Sequence, residues 1–122
     1  MESCIFCQSA LDVVFENETC FAIFDQNPVT KGHLLIIPKA HRKDYFALTK
    51  AEQKDTERLL KQGKGYLELQ YAPAGYNIGF NCGVAAGQSI FHCHCHLIPR
   101  YQGDVDNPKG GVRGVIPAKQ NY

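Results

Sequence analysis

The sequence lacks both a long apolar run and a strong charge of either sign. Its 122 residues carry 13 lysines and arginines against 12 aspartates and glutamates, a formal net charge of +1. A chain this close to neutral has no electrostatic basis for non-specific binding to nucleic acid or to a membrane surface. A membrane-spanning helix needs about 20 consecutive apolar residues, and no run approaches that length. We therefore predict neither a nucleic-acid partner nor a membrane partner.

The sequence also lacks repeats, an interdomain linker and, at its start, a basic segment with an apolar signal core. We expect a cytoplasmic protein with a single domain over residues 1–122, in which 103–122 form a C-terminal tail with little regular structure. A chain of this length buries about two-thirds of its unfolded surface without covalent crosslinks. The six cysteines are therefore predicted to be reduced, since disulfide scaffolds are typical of smaller secreted chains.

Three of the five histidines lie at alternate positions, 92, 94 and 96. Within a β-strand, which we predict here, they share one face and lie about 6.5–7 Å apart. Apolar side chains then share the opposite face and can pack into a core: Cys93, Cys95 and Leu97. Such a row has two common uses, a histidine-only metal site or phosphate chemistry with a neutral imidazole as nucleophile.

Strands and helices alternate in the pattern of an α+β fold. β-Branched and aromatic residues predict strands over residues 13–17, 18–25, 33–38 and 76–82, besides the histidine strand. A short helical turn is predicted over 44–48. A capping box of Thr49 and Glu52 opens a long helix that ends near residue 70. Gly63 and Gly65 either weaken this helix or mark its close approach to the sheet.

A loop with glycines over residues 83–89 comes directly before the histidine strand. Glycine lets backbone N–H groups approach an anion closely, and Gln88 and Ser89 add side-chain donors. By itself this stretch is an ordinary hairpin loop, but beside the histidine row we interpret it as a phosphate-binding loop.

The pattern His-apolar-His-apolar-His-apolar-apolar over residues 92–98 resembles the signature of the histidine triad (HIT) family of nucleotide hydrolases and transferases. The preceding Asn81-x-Gly83 and Gly87-Gln88-Ser89 also match that family. The resemblance implies a HIT-like fold: a five-stranded antiparallel sheet with one long and one short helix. It also implies a homodimer joined through the long helix and the sheet edge.

The resemblance further implies that His94 is the nucleophile, attacking an α-phosphorus to form a nucleotidyl-histidine intermediate. The other ring nitrogen of His94 must then be held as N–H by an acceptor, which we expect to be a backbone carbonyl. His96 donates to a non-bridging phosphate oxygen, and His33 supports the nucleophile. An imidazole with an unperturbed pKa near 6.5 is mostly neutral at pH 7 and available for this role.

The same resemblance implies a nucleotide site around the histidines. Asp25 takes the ribose hydroxyls, although an aspartate at a strand end is also a common turn cap. The residues implied to contact the phosphate are Asn81, Gly87, Gln88 and Ser89. Three apolar residues line the base pocket in the family and are equally suited to the core of the protein: Ile5, Phe6 and Ile23. The stretch from Cys7 to Val13 is shorter than in many family members, and this difference affects the base pocket more than the rest of the site.

Cys4 and Cys7 form a C-x-x-C pair, for which a zinc site, a redox pair and chance are the three interpretations. The resemblance completes a structural zinc site with His41 and His92, and two thiolates with two imidazoles form a closed tetrahedral set. The alternative is a pair of free thiols, with His92 only supporting His94.

The tail over residues 103–117 resembles a bacterial branch of dinucleoside polyphosphate hydrolases. Its Lys109 and Arg113 could meet a polyphosphate or the partner subunit, or the tail could simply lie solvated along the dimer. We therefore expect a nucleotide hydrolase acting at an α-phosphorus of dinucleoside polyphosphates or of nucleoside phosphoesters and phosphoramidates. The alternatives are a phosphorylase or nucleotidyltransferase with the same intermediate, a non-enzymatic nucleotide-binding interaction protein, and a metalloenzyme that uses only histidines.

Overall fold

A computed structural model describes residues 4–122, in which five antiparallel strands form one sheet in the order β1-β2-β3-β5-β4. The strands are β1 (Phe15–Glu16), β2 (Cys20–Phe24), β3 (Leu34–Pro38), β4 (Gly75–Gly79) and β5 (Cys95–Arg100). The single α-helix is α1 (Lys50–Tyr71), and short 3₁₀ turns span Tyr45–Ala47, Val84–Ala86, Gly111–Val115 and Pro117–Lys119. This confirms the predicted sheet with one long helix and one short helical turn. No helix in the described part of the chain has the length and apolarity to cross a bilayer.

The sheet is covered on both faces, which explains the continuous apolar run of β3. Leu34 and Ile36 point into a core with Leu59 and Leu67 of α1. The opposite face buries a second cluster of apolar side chains: Phe6, Phe21, Ile23, Leu35 and Ile37. A strand covered on both sides has no solvent face and therefore shows no polar alternation.

Helix α1 begins at the predicted capping box. Thr49 Oγ1 accepts from the Glu52 backbone N–H (3.1 Å), and a Glu52 carboxylate oxygen accepts from the Thr49 N–H (2.8 Å). Further along, Gly63 lies against the sheet, where an added Cβ would be 2.9 Å from Leu97 Cδ2. Gly63 therefore marks the close approach that we predicted, whereas a Cβ at Gly65 would have no neighbour within 4 Å.

The histidine strand is shorter than predicted, because β5 starts at Cys95 and residues 92–94 lie outside it. Ile36 pairs with Cys95, so the same register would place Pro38 opposite Cys93. Proline has no N–H to donate across that pair. The Cys93 N–H donates instead to the carbonyl of Arg42 (2.6 Å), and the chain leaves the sheet there.

Candidate active site

His33 and His96 come together on the sheet face that points away from α1. His96 lies opposite Leu35 in the register of β3 and β5, and His33 immediately precedes β3. The His33 and His96 ring centroids are 5.1 Å apart, and those of His94 and His96 are 5.2 Å apart. His94 and His96 therefore neighbour each other as predicted, but His92 lies in a different cluster of side chains.

The His94 ring has a defined proton position. Its Nδ1 lies 2.9 Å from the carbonyl oxygen of His92. A carbonyl only accepts, so Nδ1 carries the proton and Nε2 keeps its lone pair. This is the backbone acceptor that the sequence analysis expected. Phe6 packs against the same ring with its centroid 5.2 Å away, which holds the imidazole in position.

A relay of hydrogen bonds sets the proton on His96. The backbone N–H of Val29 donates to His33 Nδ1 (3.1 Å), so the neutral His33 ring carries its proton on Nε2. That Nε2–H donates to His96 Nδ1 (2.9 Å). His96 therefore carries its own proton on Nε2 and can offer it to a ligand. The role of Val29 in this relay has no sequence signal, because a main-chain N–H is present at almost every position.

Burial keeps both rings of this relay neutral. It lowers the pKa of His33, against which the charge of Asp25 acts in the opposite direction. Burial, together with the neighbouring His94 and His33 imidazoles, lowers the pKa of His96 to about 4. Both shifts favour the neutral form of these rings at pH 7, in agreement with the hydrogen-bond pattern.

Asp25 serves as a turn cap and also faces the histidines. It directly follows β2, and its Oδ1 accepts from the Asn27 N–H (2.8 Å). Its Oδ2 lies 3.6 Å from His33 Nε2. Both sequence interpretations of this residue are therefore compatible with the geometry.

The loop over residues 83–89 is held together by Gln88, which is buried. The Gln88 Oε1 accepts from the Gly83 N–H (2.9 Å), and its Nε2 donates to the carbonyls of Lys43 (2.7 Å) and Ile90 (3.1 Å). These bonds use both amide hydrogens, so the prediction that Gln88 donates to phosphate is wrong for its side chain. Asn81, Gly87 and Ser89 are exposed around this loop.

The residues predicted to line the base pocket divide between surface and core. Ile5 is 47% exposed, whereas Phe6 and Ile23 are buried in the second apolar cluster. The core interpretation therefore holds for Phe6 and Ile23, and Phe6 additionally contacts the His94 ring.

Four potential metal ligands converge beside the histidine segment: Cys4, Cys7, His41 and His92. His92 Nδ1 lies 3.3 Å from Cys4 Sγ, 3.4 Å from Cys7 Sγ and 3.2 Å from His41 Nδ1. Zinc bond lengths of about 2.3 Å to sulfur and about 2.0 Å to nitrogen place tetrahedral ligands about 3.3–3.8 Å apart. His92 Nε2 donates to the Pro38 carbonyl (2.8 Å), so the lone pair of Nδ1 points into the cluster. The donor set and its spacing therefore fit a zinc ion.

This cluster separates His92 from the other two triad histidines. In the described part of the chain, a second group of potential ligands joins Asp25, His33 and His96, and no group joins all three of His92, His94 and His96. The geometry thus gives no support to a metalloenzyme that uses only those histidines.

Comparison with known proteins agrees with this arrangement. A family model described as "HIT domain" matches residues 8–103. "Protein hit" of Bacillus subtilis is 39% identical over 109 residues, covering 84% of this chain and 75% of that protein. The crystal structure of a HIT family protein from Bacillus anthracis has a TM-score of 0.78 and 39% identity, covering 84% of this chain and 77% of that one.

Three further relatives bear on chemistry. A zinc-bound histidine triad family protein from Mycobacterium smegmatis has a TM-score of 0.76 at 31% identity and covers 84% of this chain and 78% of its own. "Adenylylsulfatase HINT3" of Arabidopsis thaliana is 34% identical over 83% of this chain and 54% of that protein. "AP-4-A phosphorylase" of Mycobacterium tuberculosis is 28% identical over 77% of this chain and 49% of that protein.

Proposed function

This chain belongs to the HIT, or histidine triad, family, and on that basis we propose that it is a nucleotide hydrolase that cleaves at an α-phosphorus. HIT proteins are nucleotide hydrolases or transferases, which fits a general role of this kind. Its substrates under this proposal are dinucleoside polyphosphates or other nucleoside phosphoesters and phosphoramidates. The observation that carries the proposal is the complementary pair of ring nitrogens: a free lone pair on His94 Nε2 and a proton on His96 Nε2.

In the first step, His94 Nε2 forms a bond to the α-phosphorus. The bond between that phosphorus and the leaving group breaks, and the leaving group departs with the electron pair. The His94 Nδ1–H stays bonded to the His92 carbonyl, which stabilises the positive charge that develops on the ring. Water then attacks the phosphorus, the bond between phosphorus and His94 Nε2 breaks with its electron pair returning to the ring, and the proton that water loses passes to solvent.

His96 stabilises the charge on a non-bridging phosphate oxygen through its Nε2–H. The relay from Val29 through His33 holds this proton in place before the substrate arrives, so little reorganisation is needed at the transition state. Asp25 accepts from the ribose hydroxyls. Asn81, Gly87 and Ser89 contact the phosphate, while Gln88 maintains the loop.

We further propose that Cys4, Cys7, His41 and His92 hold one structural zinc ion. When bound, zinc supplies a crosslink between the N-terminal segment and the loop that precedes β5. The zinc-bound relative from Mycobacterium smegmatis and the fit of the donor set support this assignment.

Two proposals concern the assembly and location of the protein. A homodimer joined through α1 and the free edge of β4 is supported by exposed apolar side chains on these elements, Leu69 and Ile78. A cytoplasmic location is supported by the six cysteines, all of which lie among the described residues and outside any disulfide.

A phosphorylase or transferase remains the second candidate, because the relative named AP-4-A phosphorylase would share the same intermediate. Only the second step differs, with inorganic phosphate replacing water. A non-enzymatic nucleotide-binding protein is the third candidate.

The test is to incubate the protein with a panel of nucleotides, quench in mild base and search by mass spectrometry for a nucleotide adduct on His94. We expect an adduct in the wild-type protein and none in His94→Ala, whose turnover should fall by about 1,000-fold or more. A matched Cys82→Ser variant, changed at a half-buried thiol outside the site, should behave as wild type. Products made with and without inorganic phosphate separate hydrolase from phosphorylase. Robust turnover without any adduct would contradict the covalent mechanism.

A further inference from the structure

A cleft of about 770 Å³ lies between the sheet and the C-terminal tail. Asn77, Gly79 and Ile98 of β4 and β5 contribute to one wall, and Val112 and Val115 of the tail contribute to another. One end of the cleft reaches the two paired imidazoles of His33 and His96 and the carboxylate of Asp25. The family model ends at residue 103, so the tail wall lies outside the segment that defines the family.

The described residues that line the cleft offer no free cation to a phosphate chain. Among the described residues that line it, the charged side chains are Asp25, Arg100 and Asp104. The Arg100 guanidinium donates to both carboxylate oxygens of Asp104 (2.8 Å each) and to Asn77 Oδ1 (2.7 Å). An arginine bonded in this way has few donors left for a ligand, and the remaining charge of Asp25 repels phosphate.

The two tail cations that could have met a polyphosphate are engaged elsewhere. Lys109 Nζ donates to the Tyr122 carbonyl oxygen (2.8 Å) and lies 4.7 Å from the centre of the Tyr122 ring. The Arg113 guanidinium lies 4.9 Å from the same ring and donates to the Lys119 carbonyl (2.9 Å). Neither residue lines the cleft, so the geometry does not support a polyphosphate contact by these side chains.

The chemistry of the walls suits an uncharged aromatic ring system. Val112 and Val115 are 64% and 76% exposed, and they line the cleft together with Asn77. The Oδ1 of Asn77 accepts from Arg100, and its Nδ2 can donate to a ligand. A nucleobase has apolar faces and a hydrogen-bonding edge, which match these two kinds of surface. The volume lies in the range of small-molecule sites, about 300–1,000 Å³.

The tail wall is preorganised by contacts within the tail. Gln120 Nε2 donates to the carbonyl of Lys109 (3.2 Å), and Gly110 has a φ of 90°. A Cβ at Gly110 would lie 2.1 Å from the Gln120 carbonyl oxygen. Glycine at this position therefore allows the tail to close on itself and present one surface to the cleft.

We infer that this cleft binds the nucleoside at the leaving-group end of the substrate, opposite the nucleoside whose α-phosphorus is attacked. The inference rests on the proposed function and assigns it a substrate class, nucleotides that carry a second nucleoside. The three residues implied to bind the reacting base, Ile5, Phe6 and Ile23, do not line the cleft. The cleft does include Asp25, Asn81 and His96, which the proposed function assigns to the reacting nucleotide. The two surfaces therefore meet at these residues, and the second nucleoside lies beyond them, between β4 and the tail.

The test compares two substrates that share an adenosine and an α-phosphorus but differ in their leaving group. Diadenosine tetraphosphate carries a second nucleoside, whereas adenosine 5′-phosphoramidate loses only ammonia. Val112→Trp fills the cleft from the tail. Ala118→Trp is the matched control, since it adds the same side chain to an exposed tail position outside the cleft.

We expect Val112→Trp to lower kcat/KM for diadenosine tetraphosphate by about tenfold or more, as the loss of pocket contacts predicts. Its kcat/KM for the phosphoramidate should stay within about twofold of wild type, and Ala118→Trp should leave both values unchanged. An equal loss of kcat/KM for both substrates would place the reacting nucleoside in the cleft and overturn the inference. No loss of kcat/KM for either substrate would also overturn it. If the wild-type protein cleaves the phosphoramidate, the proposed function stands whichever of these results is obtained. If it cleaves neither substrate, both proposals fall.

Discussion

At His96, one hydrogen bond decides which ring nitrogen carries the proton. The His33 Nε2–H donates to His96 Nδ1, which leaves the His96 proton on the nitrogen directed away from His33. At His94 the carbonyl of His92 accepts from Nδ1–H, so the proton lies on Nδ1 and Nε2 keeps its lone pair. Two neighbouring imidazoles with the same intrinsic chemistry thus present different atoms at Nε2, a proton on His96 and a lone pair on His94.

The lowered pKa of His96 predicts a specific loss of stability in acid. Its value of about 4 in the folded protein, set mainly by burial, lies below the unfolded value near 6.5. Between these two values the unfolded chain binds more protons, so the free energy of unfolding falls as the pH drops from about 6.5 towards 4. His94, His33 and Asp25 are the titratable groups that face this ring.

We expect His96→Gln to show a shallower acid dependence than wild type, by up to about 1 kcal/mol per pH unit over this range. Urea unfolding at pH 7, 6 and 5 with zinc present at a constant concentration measures the two slopes. Parallel slopes would show that His96 does not titrate as described. At pH 7 the two proteins should bind zinc equally, because His96 is not among the four converging ligands.

Three buried cysteines illustrate how burial suppresses reactivity. Desolvation raises the pKa of Cys93 and of Cys95 to about 12 and also raises the pKa of Cys20. Since thiolate is the reactive form, these side chains remain protonated and act as small apolar residues of the core.

At the scale of single elements, helix α1 depends on a glycine for its contact with the sheet. An added Cβ at Gly63 would meet Leu97 Cδ2 at 2.9 Å and Leu34 Cδ1 at 3.3 Å. Leu34 and Leu97 are fully buried, so neither side chain can move away without displacing other core residues.

The two helix glycines therefore predict opposite effects of the same substitution. Gly65→Ala should raise the free energy of unfolding by about 0.5–1 kcal/mol, because alanine favours the helix and meets no neighbour. Gly63→Ala should lower it by about 1 kcal/mol, because overpacking against the sheet exceeds the gain in helix propensity. Urea denaturation of both variants measures the difference. Equal stabilisation by both would show that α1 does not lie this close to the sheet.

The elements that were predicted well are those defined by neighbouring residues. The capping box, the helical turn that Asp44 caps and the β3 run follow from local spacing and composition. The start of β5 does not follow from local spacing, because the residue that ends its pairing with β3 is Pro38, more than 50 positions away in the sequence. A local pattern carries no information about a missing N–H on the opposite strand.

At the scale of the whole molecule, a cluster of four potential metal ligands joins distant parts of the chain. Cys4 and His92 are separated by 88 positions, and the cluster also includes the loop that carries His41. A crosslink between such positions removes conformational freedom from the unfolded chain and secures the segment that contains Phe6 against the His94 ring.

Removal of zinc should consequently loosen the fold rather than only reduce activity. We expect a chelator, or Cys7→Ser, to lower the melting temperature by about 10 °C or more, since a structural zinc site contributes several kcal/mol. Cys82→Ser, at a thiol outside the cluster, should melt within about 2 °C of wild type. Calorimetry with a metal assay checks both expectations. Loss of activity at an unchanged melting temperature would instead indicate a catalytic metal.

In the C-terminal tail, tertiary contacts determine which groups are left to bind a ligand. From the sequence, Lys109 and Arg113 were candidates to bind a polyphosphate, because a sequence does not show whether a cationic side chain already has a partner. In the folded chain, both cations contact the C-terminal Tyr122, and the tail presents valines and amides to the cleft.

The sequence by itself determined the family and the sheet with its long helix. These properties depend on residue type at short spacing, and the alternation of buried and half-buried side chains from Cys93 to Arg100 follows the two-residue period of extended chain. Only the tertiary structure decided which ring nitrogen of His96 carries its proton and what the tail presents to the cleft. Hydrogen bonds between distant segments set those features, since a partner far away in the chain determines whether a ring nitrogen donates or accepts.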